Sequence, residues 1–246
     1  NISYDEDMSS NYSDLRFING SCADESTLEL AYEIENYTSE HADVWVNIPT
    51  LDTTGGLICL YYGNPDAVSK ENPGQTWEGD YVSVWHKLNE TDTDSTSNNH
   101  DAISVVQDVD IVSGPISQAT NYDGDSGYQR YSGFDDLGTS NNPYSFEVWV
   151  KIDSGETQGN IIHMSASSSG GGWCLPPLAY NGTAFRARNW NSGPVDAAST
   201  TNPSTETWYH LAHTWDATNG IRIFVNGVLE DETAMPTYTA SGSSNY

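Results

Sequence analysis

Gly220-Ile-Arg-Ile-Phe-Val-Asn-Gly-Val-Leu-Glu230 is the stretch that decides the fold. Ile221, Ile223 and Val225 recur at every second position, which places them on one face of a β-strand. Asn226-Gly227 follows at once, and that dipeptide accepts the positive φ at both central positions of a type I′ turn. The segment therefore predicts a strand, a two-residue turn and a returning strand through Val228, Leu229 and Glu230. The same alternation runs through Ser145-Phe-Glu-Val-Trp-Val-Lys151 and Asp43-Val-Trp-Val-Asn-Ile48. Helical periodicity is hard to find. Clusters of Gly, Ser, Asn and Pro at 165–172, 191–194 and 200–207 read as connecting loops. Many short strands with punctuated turns predict an all-β chain built as antiparallel β-sandwiches or barrels.

Charge removes several functions. Among 246 residues, 35 acids face 8 bases, for a formal net charge of -27. A polyanion is repelled by nucleic-acid phosphates and anionic lipid headgroups, and the bases are scattered singly from Arg16 to Arg222. The 8 Trp and 15 Tyr are side chains a disordered polyanion would lack, so a packed core is expected. The longest apolar run, Leu57-Ile-Cys-Leu-Tyr-Tyr62, is far below the roughly 20 residues that cross a bilayer as a helix. Residues 1–80 hold 16 acids and 2 bases, and residues 81–246 hold 19 and 6. That density step, with the breaker cluster Asn72-Pro-Gly74, predicts two domains, 1–75 and 76–246.

The chain starts with Asn and is expected to be a mature or excised piece of a longer product. Three cysteines, Cys22, Cys59 and Cys174, are too few for a disulfide framework and leave one without an internal partner. Sequons at Asn1, Asn11, Asn19, Asn36, Asn89 and Asn181 are candidate glycosylation sites.

Two sets of blocks carry family resemblances. Asp14-Leu-Arg-Phe17, Leu30-Ala-Tyr-Glu-Ile-Glu35, Ala42-Asp-Val-Trp-Val-Asn-Ile-Pro49 and Leu60-Tyr-Tyr-Gly-Asn-Pro65 resemble the β-rich family known only as domain of unknown function 2341. Val84-Trp-His-Lys-Leu-Asn-Glu90, Asp94-Ser-Thr-Ser-Asn-Asn-His-Asp101, Asn121-Tyr-Asp-Gly-Asp125 and Ser145–Lys151 resemble the laminin G-like members of the concanavalin A-like lectin/glucanase superfamily. Thr207-Trp-Tyr-His-Leu-Ala-His-Thr-Trp-Asp216 and Ile221-Arg-Ile-Phe-Val-Asn-Gly-Val228 extend that second likeness. The resemblance implies a jelly roll for residues 76–246, in company with the first family on prokaryotic surface proteins. Measured against the two families, an opening strand and a closing strand are expected outside the given sequence. The fold hosts lectins, adhesion modules, hydrolases and spacers alike, so it leaves function to the site residues.

Catalysis finds little support. Glycoside hydrolysis needs two facing carboxylates, and the glucanase branch of the resemblance sets them in a Glu-x-Asp-x-x-Glu string. The nearest approaches are Asp108-Val-Asp110 and Glu230-Asp-Glu232. No Gly-x-Ser-x-Gly elbow is present, and Cys174 reads as a small apolar side chain. His210 and His213 lie three apart, so on a strand they point to opposite faces and cannot share one zinc.

Calcium asks for six to eight oxygens on a flexible loop. The loop at 92–101, with Asp94, Asn98 and Asp101, and the loop at 121–125, with Asp123 and Asp125 around Gly124, are the candidate ligands. Sugar binding uses aromatic faces flanked by polar groups. Trp173, Trp190 and Tyr128 are candidate stacking residues, and Arg186 and Arg188, alternating about Ala187, are candidate donors to an acidic sugar. Trp45, Trp85, Trp149, Trp208 and Trp215 fall within motif blocks and are expected in the core or as fold-defining surface. The sequence thus predicts a non-enzymatic extracellular module that binds a glycan or glycoprotein on another surface and is stiffened by calcium. The alternative is a structural subunit of a surface layer, filament or virion appendage that pairs with neighbouring copies.

Overall fold

In a computed structural model the chain is described over residues 1–22, 28–51, 53, 55–88, 91–106, 109–124, 127–134, 141–165 and 174–238. Its elements are almost all antiparallel strands, and its contacts separate two compact units. The first comprises Asn1–Ala102 and Val109–Asn121, the second Ile103–Asp108 and Tyr122–Tyr246.

The first unit opens with β1 (Ile2–Ser3), β2 (Arg16–Asn19), β3 (Glu29–Leu30), β4 (Tyr32–Tyr37), β5 (His41–Val46) and β6 (Ile58–Tyr61). They form two three-stranded sheets, β1-β5-β4 and β3-β2-β6. Tyr12, Leu15, Phe17, Leu30, Tyr32 and Ala42 form the core, with Ile34, Val44 and Val46 against it. Each large apolar side chain so removed from water contributes about 2 kcal/mol. Cys22 and Cys59 are joined, with Cα atoms 5.1 Å apart, which ties the loop after β2 to the edge strand β6.

The opposite face of β4 is polar and is also covered. Glu33 pairs with Trp45 of β5, and a β-bulge between Ile34 and Asn36 accommodates Glu35. Both glutamates are 8% exposed. Pro73–Thr76 forms the short helix α1, capped by the Asn72 side chain. Beyond it Trp77 and Ser95 donate to Glu33, while the His86 ring lies against both acids. The breaker cluster at 72–74 therefore does not end the unit. Residues 76–102 fall in the first unit, later than the boundary expected at 75, because their polar side chains complete the buried acids of β4. Strands β7 (Ser104–Val106), β8 (Val109–Ser113), β9 (Gln118–Tyr122) and β10 (Tyr128–Arg130) follow, paired as β8-β9 and β7-β10.

The second unit continues with β11 (Tyr144–Lys151), β12 (Gly159–Ser165), β13 (Cys174–Tyr180), β14 (Phe185–Trp190), β15 (Pro194–Ala198), β16 (Trp208–Asp216), β17 (Gly220–Val225) and β18 (Val228–Thr233). Two four-stranded sheets, β11-β16-β17-β18 and β12-β13-β14-β15, enclose one core. Leu178, Phe185, Ala187 and Ala197 come from one sheet, and Leu211, Trp215, Ile221, Ile223 and Val225 from the other. The expected hairpin is present: Val225 pairs with Val228, and Asn226 and Gly227 have φ of 50° and 78°. Gly220 has φ +74°, and a Cβ there would run into the backbone of residues 233–235. Trp215 is buried, as expected, whereas Trp149 is 43% exposed on the outer side of β11. The reason is register: Tyr144, Phe146, Val148 and Val150 take the inward positions of that strand.

Candidate functional site

Strand β14 sorts its side chains by parity. Phe185, Ala187 and Asn189 are buried, while Arg186, Arg188 and Trp190 take the other, half-buried face. The neighbouring β15 sets Asp196 directly opposite Arg188, and Pro194 opposite Trp190. Arg188 grips Asp196 with two bonds, Nε to Oδ1 at 2.6 Å and Nη2 to Oδ2 at 3.0 Å. Arg186 Nη1 reaches the same Oδ2 at 2.7 Å. Burial alone would raise the Asp196 pKa, but hydrogen bonds and charge from Arg188 and Arg186 outweigh it and hold the carboxyl below its usual range. The bond to Asp196 likewise raises Arg188.

Two guanidinium groups thus share one carboxylate, and three residues leave a local charge of +1 in a chain of -27. The three bonds to Asp196 use fewer than half of the ten N–H groups two arginines carry. About 30% of each arginine side chain is exposed. Charged donors fixed on a strand beside an indole offer polar and stacking contacts together. Of the predicted sugar-binding residues, the structure brings Arg186, Arg188 and Trp190 to this one face. Tyr128, 48% exposed, belongs to β10 of the separate β7-β10 pair. Trp173 lies outside the described residues.

The loop at 92–101 is built differently from a calcium site. Asp94 Oδ1 accepts the backbone N–H groups of Val84 and Thr96, and Oδ2 accepts from Thr96 Oγ1, the His100 N–H and Ser83 Oγ, all within 3.3 Å. Asp101 Oδ1 receives the Asp94 N–H, and Asn98 Nδ2 donates to Val82 and Tyr81 carbonyls. Asp92 accepts the Lys87 N–H and pairs with Lys87 Nζ at 3.0 Å. Donor hydrogens already surround the Asp94 oxygens where a cation would have to sit, so Asp94 as placed does not fit a calcium ligand. These bonds tie the loop together. In the 121–125 loop Asp123 Oδ1 accepts the Gly127 N–H at 2.7 Å, and the Glu156 carboxylate lies over Gly124. Asp125 lies outside the described residues. Among the described residues, no group of three or more His, Cys, Asp or Glu is placed to hold a metal.

The histidines of β16 separate as period two requires. His213 is fully buried between the sheets and His210 is half-exposed beside Trp149. Burial pushes His213 down to about 4. Glu230 is committed to Thr201 and Thr200, and Asp231 to the Ala198 N–H. Asp108 lies outside the described residues. Among the sequons, Asn11 and Asn181 are exposed, Asn19 sits in β2, Asn36 donates to Ser117 Oγ at 2.9 Å, and Asn1 donates to Asp43. Asn89 is outside the described residues.

Comparison with known families joins these observations. Residues 123–246 match the family described as the concanavalin A-like lectin/glucanases superfamily. The chain belongs to the concanavalin A-like lectin/glucanases superfamily. Its second unit is this superfamily's jelly roll, and residues 11–100 match the domain of unknown function DUF2341. A comparison with curated protein sequences finds no match. A similar solved structure is domain 4 of AbnA, a GH43 extracellular arabinanase from Geobacillus stearothermophilus, in complex with arabinotriose. It is 17% identical, with a TM-score of 0.39, over 62% of this chain and 75% of that one.

Two features of this superfamily member stand outside the residues predicted from the sequence, and one of them leaves a signal there. Asp196 bridges the two arginines, and only the β14–β15 register reveals it. Glu33 and Glu35 alternate on a strand beside Trp45, a visible signal that two acids share a face.

Proposed function

We propose that this chain is a non-enzymatic carbohydrate-binding and adhesion module acting outside the cell. Its sugar contact is the Arg186–Asp196–Arg188 cluster with Trp190. The observation that carries the reading is the sharing of one carboxylate by two half-exposed guanidinium groups on a rigid strand face. Hydroxyls and a sugar carboxylate accept from such donors, while the indole covers C–H surface. Membership of a superfamily that includes lectins supports this, and so does the Cys22–Cys59 disulfide, a bond that persists in oxidising surroundings.

Glycan-array screening followed by titration calorimetry tests the proposal. Trp190→Ala and Arg188→Gln should each weaken binding at least tenfold while the melting temperature stays within a few degrees. Full retention of affinity by both variants removes the site from consideration. The calcium part of the reading rests on the 121–125 loop, with Asp123 and the Glu156 carboxylate over Gly124. A calcium-dependent rise in melting temperature that Asp123→Asn abolishes supports it, and no rise removes it.

A second reading, a structural subunit that pairs with copies of itself, is favoured by β6. This edge strand presents Ile58 and Tyr61 at about 40% exposure, with Leu57 more exposed beside them. Concentration-dependent assembly in light scattering, lost in Ile58→Lys, supports that reading. A monomer at all concentrations rejects it.

A further inference from the structure

One imidazole ring is held between two acids of a single strand. His86 Nε2 lies 3.1 Å from Glu33 Oε2, and Nδ1 lies 3.2 Å from Glu35 Oε2. An ionised carboxylate accepts hydrogen bonds and cannot donate them, and only the imidazolium has two N–H groups. The geometry therefore requires a protonated ring. Other donors also reach the two acids: Trp45 Nε1 donates to Glu35 Oε2 at 2.7 Å, Trp77 Nε1 to Glu33 at 2.5 Å, and Ser95 Oγ to Glu33 at 2.6 Å. The indoles of Trp45 and Trp77 pack on the ring with centroids 5.9 Å away.

We propose that Glu33, His86 and Glu35 form a charged clasp that fastens residues 77–101 to the β4–β5 ribbon and opens when His86 loses its proton. The fastened segment reaches β4 through Trp77, His86 and Ser95, and these three side chains converge on the two acids. The acids leave water because the ring neutralises one charge and Trp45, Trp77 and Ser95 donate to their oxygens. Loss of the proton turns one ring nitrogen into a lone pair facing a carboxylate at about 3 Å. It also leaves two buried charges with no cation.

Among the described residues, the ionisable groups that meet the ring are Glu33 and Glu35, both from β4. β5 contributes Trp45 and the chain after α1 contributes Trp77, which carry no charge. Further along the fastened segment, Lys87 is paired with Asp92, and His100 lies 3.9 Å from Asp94. Burial alone would lower the His86 pKa, but hydrogen bonds and charge from Glu33 and Glu35 outweigh it and raise it to about 9. Hydrogen bonds from His86, Ser95 and Trp77 similarly hold Glu33 below its usual range against the effect of burial. A raised histidine pKa stabilises fully below the unfolded value near 6.5, and that stabilisation is lost as pH rises through about 9.

Hydrogen exchange on the full chain from pH 7 to 10.5, corrected for intrinsic rates, tests the clasp. Amides within residues 81–101 should lose at least tenfold protection with a midpoint near pH 9, while β16–β18 amides keep theirs. His86→Gln should lack the protection at pH 7 and show no further alkaline step. If His86→Gln keeps wild-type protection, or follows the wild-type pH curve, the clasp is wrong. Should His86→Gln also disturb β16–β18, Glu35→Gln decides, since it keeps the ring and its aromatic packing. The midpoint should then fall by a unit or more, and an unchanged midpoint overturns the proposal.

Discussion

Acidification should destabilise the second unit in part through one buried residue, His213. The ring is 0% exposed, and neither nitrogen makes a hydrogen bond, although the Pro177 carbonyl lies close enough to favour the protonated form weakly. It packs edge-on to Tyr144 at 5.4 Å and against Phe146 at 6.1 Å. Desolvation disfavours the imidazolium and lowers the pKa from 6.5 to about 4. The folded state then binds fewer protons than the unfolded chain between those values, so stability falls as pH falls through that window. A displacement of this size is worth about 3 kcal/mol when fully expressed, most of which is lost between pH 7.5 and 4.5.

Urea unfolding of the full chain, followed through exchange of β16–β17 amides at both pH values, measures the loss. His213→Phe keeps an aromatic ring at the site and removes the titrating group. It should lose about 2–3 kcal/mol less than the wild type over the same interval. At pH 7.5 it should be equal or slightly more stable, since two unpartnered polar atoms leave the core. Many carboxylates also titrate over this range, but their effect cancels in the difference. Parallel losses in the two proteins would refute the argument.

Three further outcomes are expected. Cys59→Ser opens a loop with a sequence separation of 37 and should cost the first unit about 4 kcal/mol in urea unfolding, with the second unit unchanged. Asp94→Ala and Asp94→Asn should both cost about 2–3 kcal/mol in thermal unfolding, because the amide nitrogen of Asn would face N–H groups that now meet an acceptor. Neither should alter the response of melting temperature to added calcium. Gly220→Ala should cost at least about 3 kcal/mol, since it combines a left-handed φ with a collision against residues 233–235. A loss within 0.5 kcal/mol would show that the hairpin relaxes freely.

By itself the sequence determined the strand content, the hairpin turn at Asn226-Gly227, the opposite facing of His210 and His213, and the jelly roll of the second unit. The first three follow from local rules, since period two assigns faces and a dipeptide that tolerates positive φ fixes a turn, while the jelly roll is what the family resemblance of the second set of blocks implies. It also placed Arg186 and Arg188 on one face, because they alternate about Ala187, and the structure adds Trp190 as the last residue of the same strand.

Long-range partners decided the rest. Asp196 becomes the carboxylate shared by two arginines only when β15 takes its register beside β14. The acids of the 92–101 loop looked like metal ligands because a carboxylate's composition does not say what faces it. The fold curls the loop so that the Asp94 oxygens meet the backbone N–H groups of Val84, Thr96 and His100, two to ten positions away. The end of the first unit was hidden for the same reason. The breaker cluster at 72–74 is a local signal, while the attachment of residues 77–101 comes from a histidine more than fifty positions away from the acid it neutralises. Local alternation can say that Glu33 and Glu35 share a face. Only the tertiary structure supplies the cation that lets both remain buried and charged.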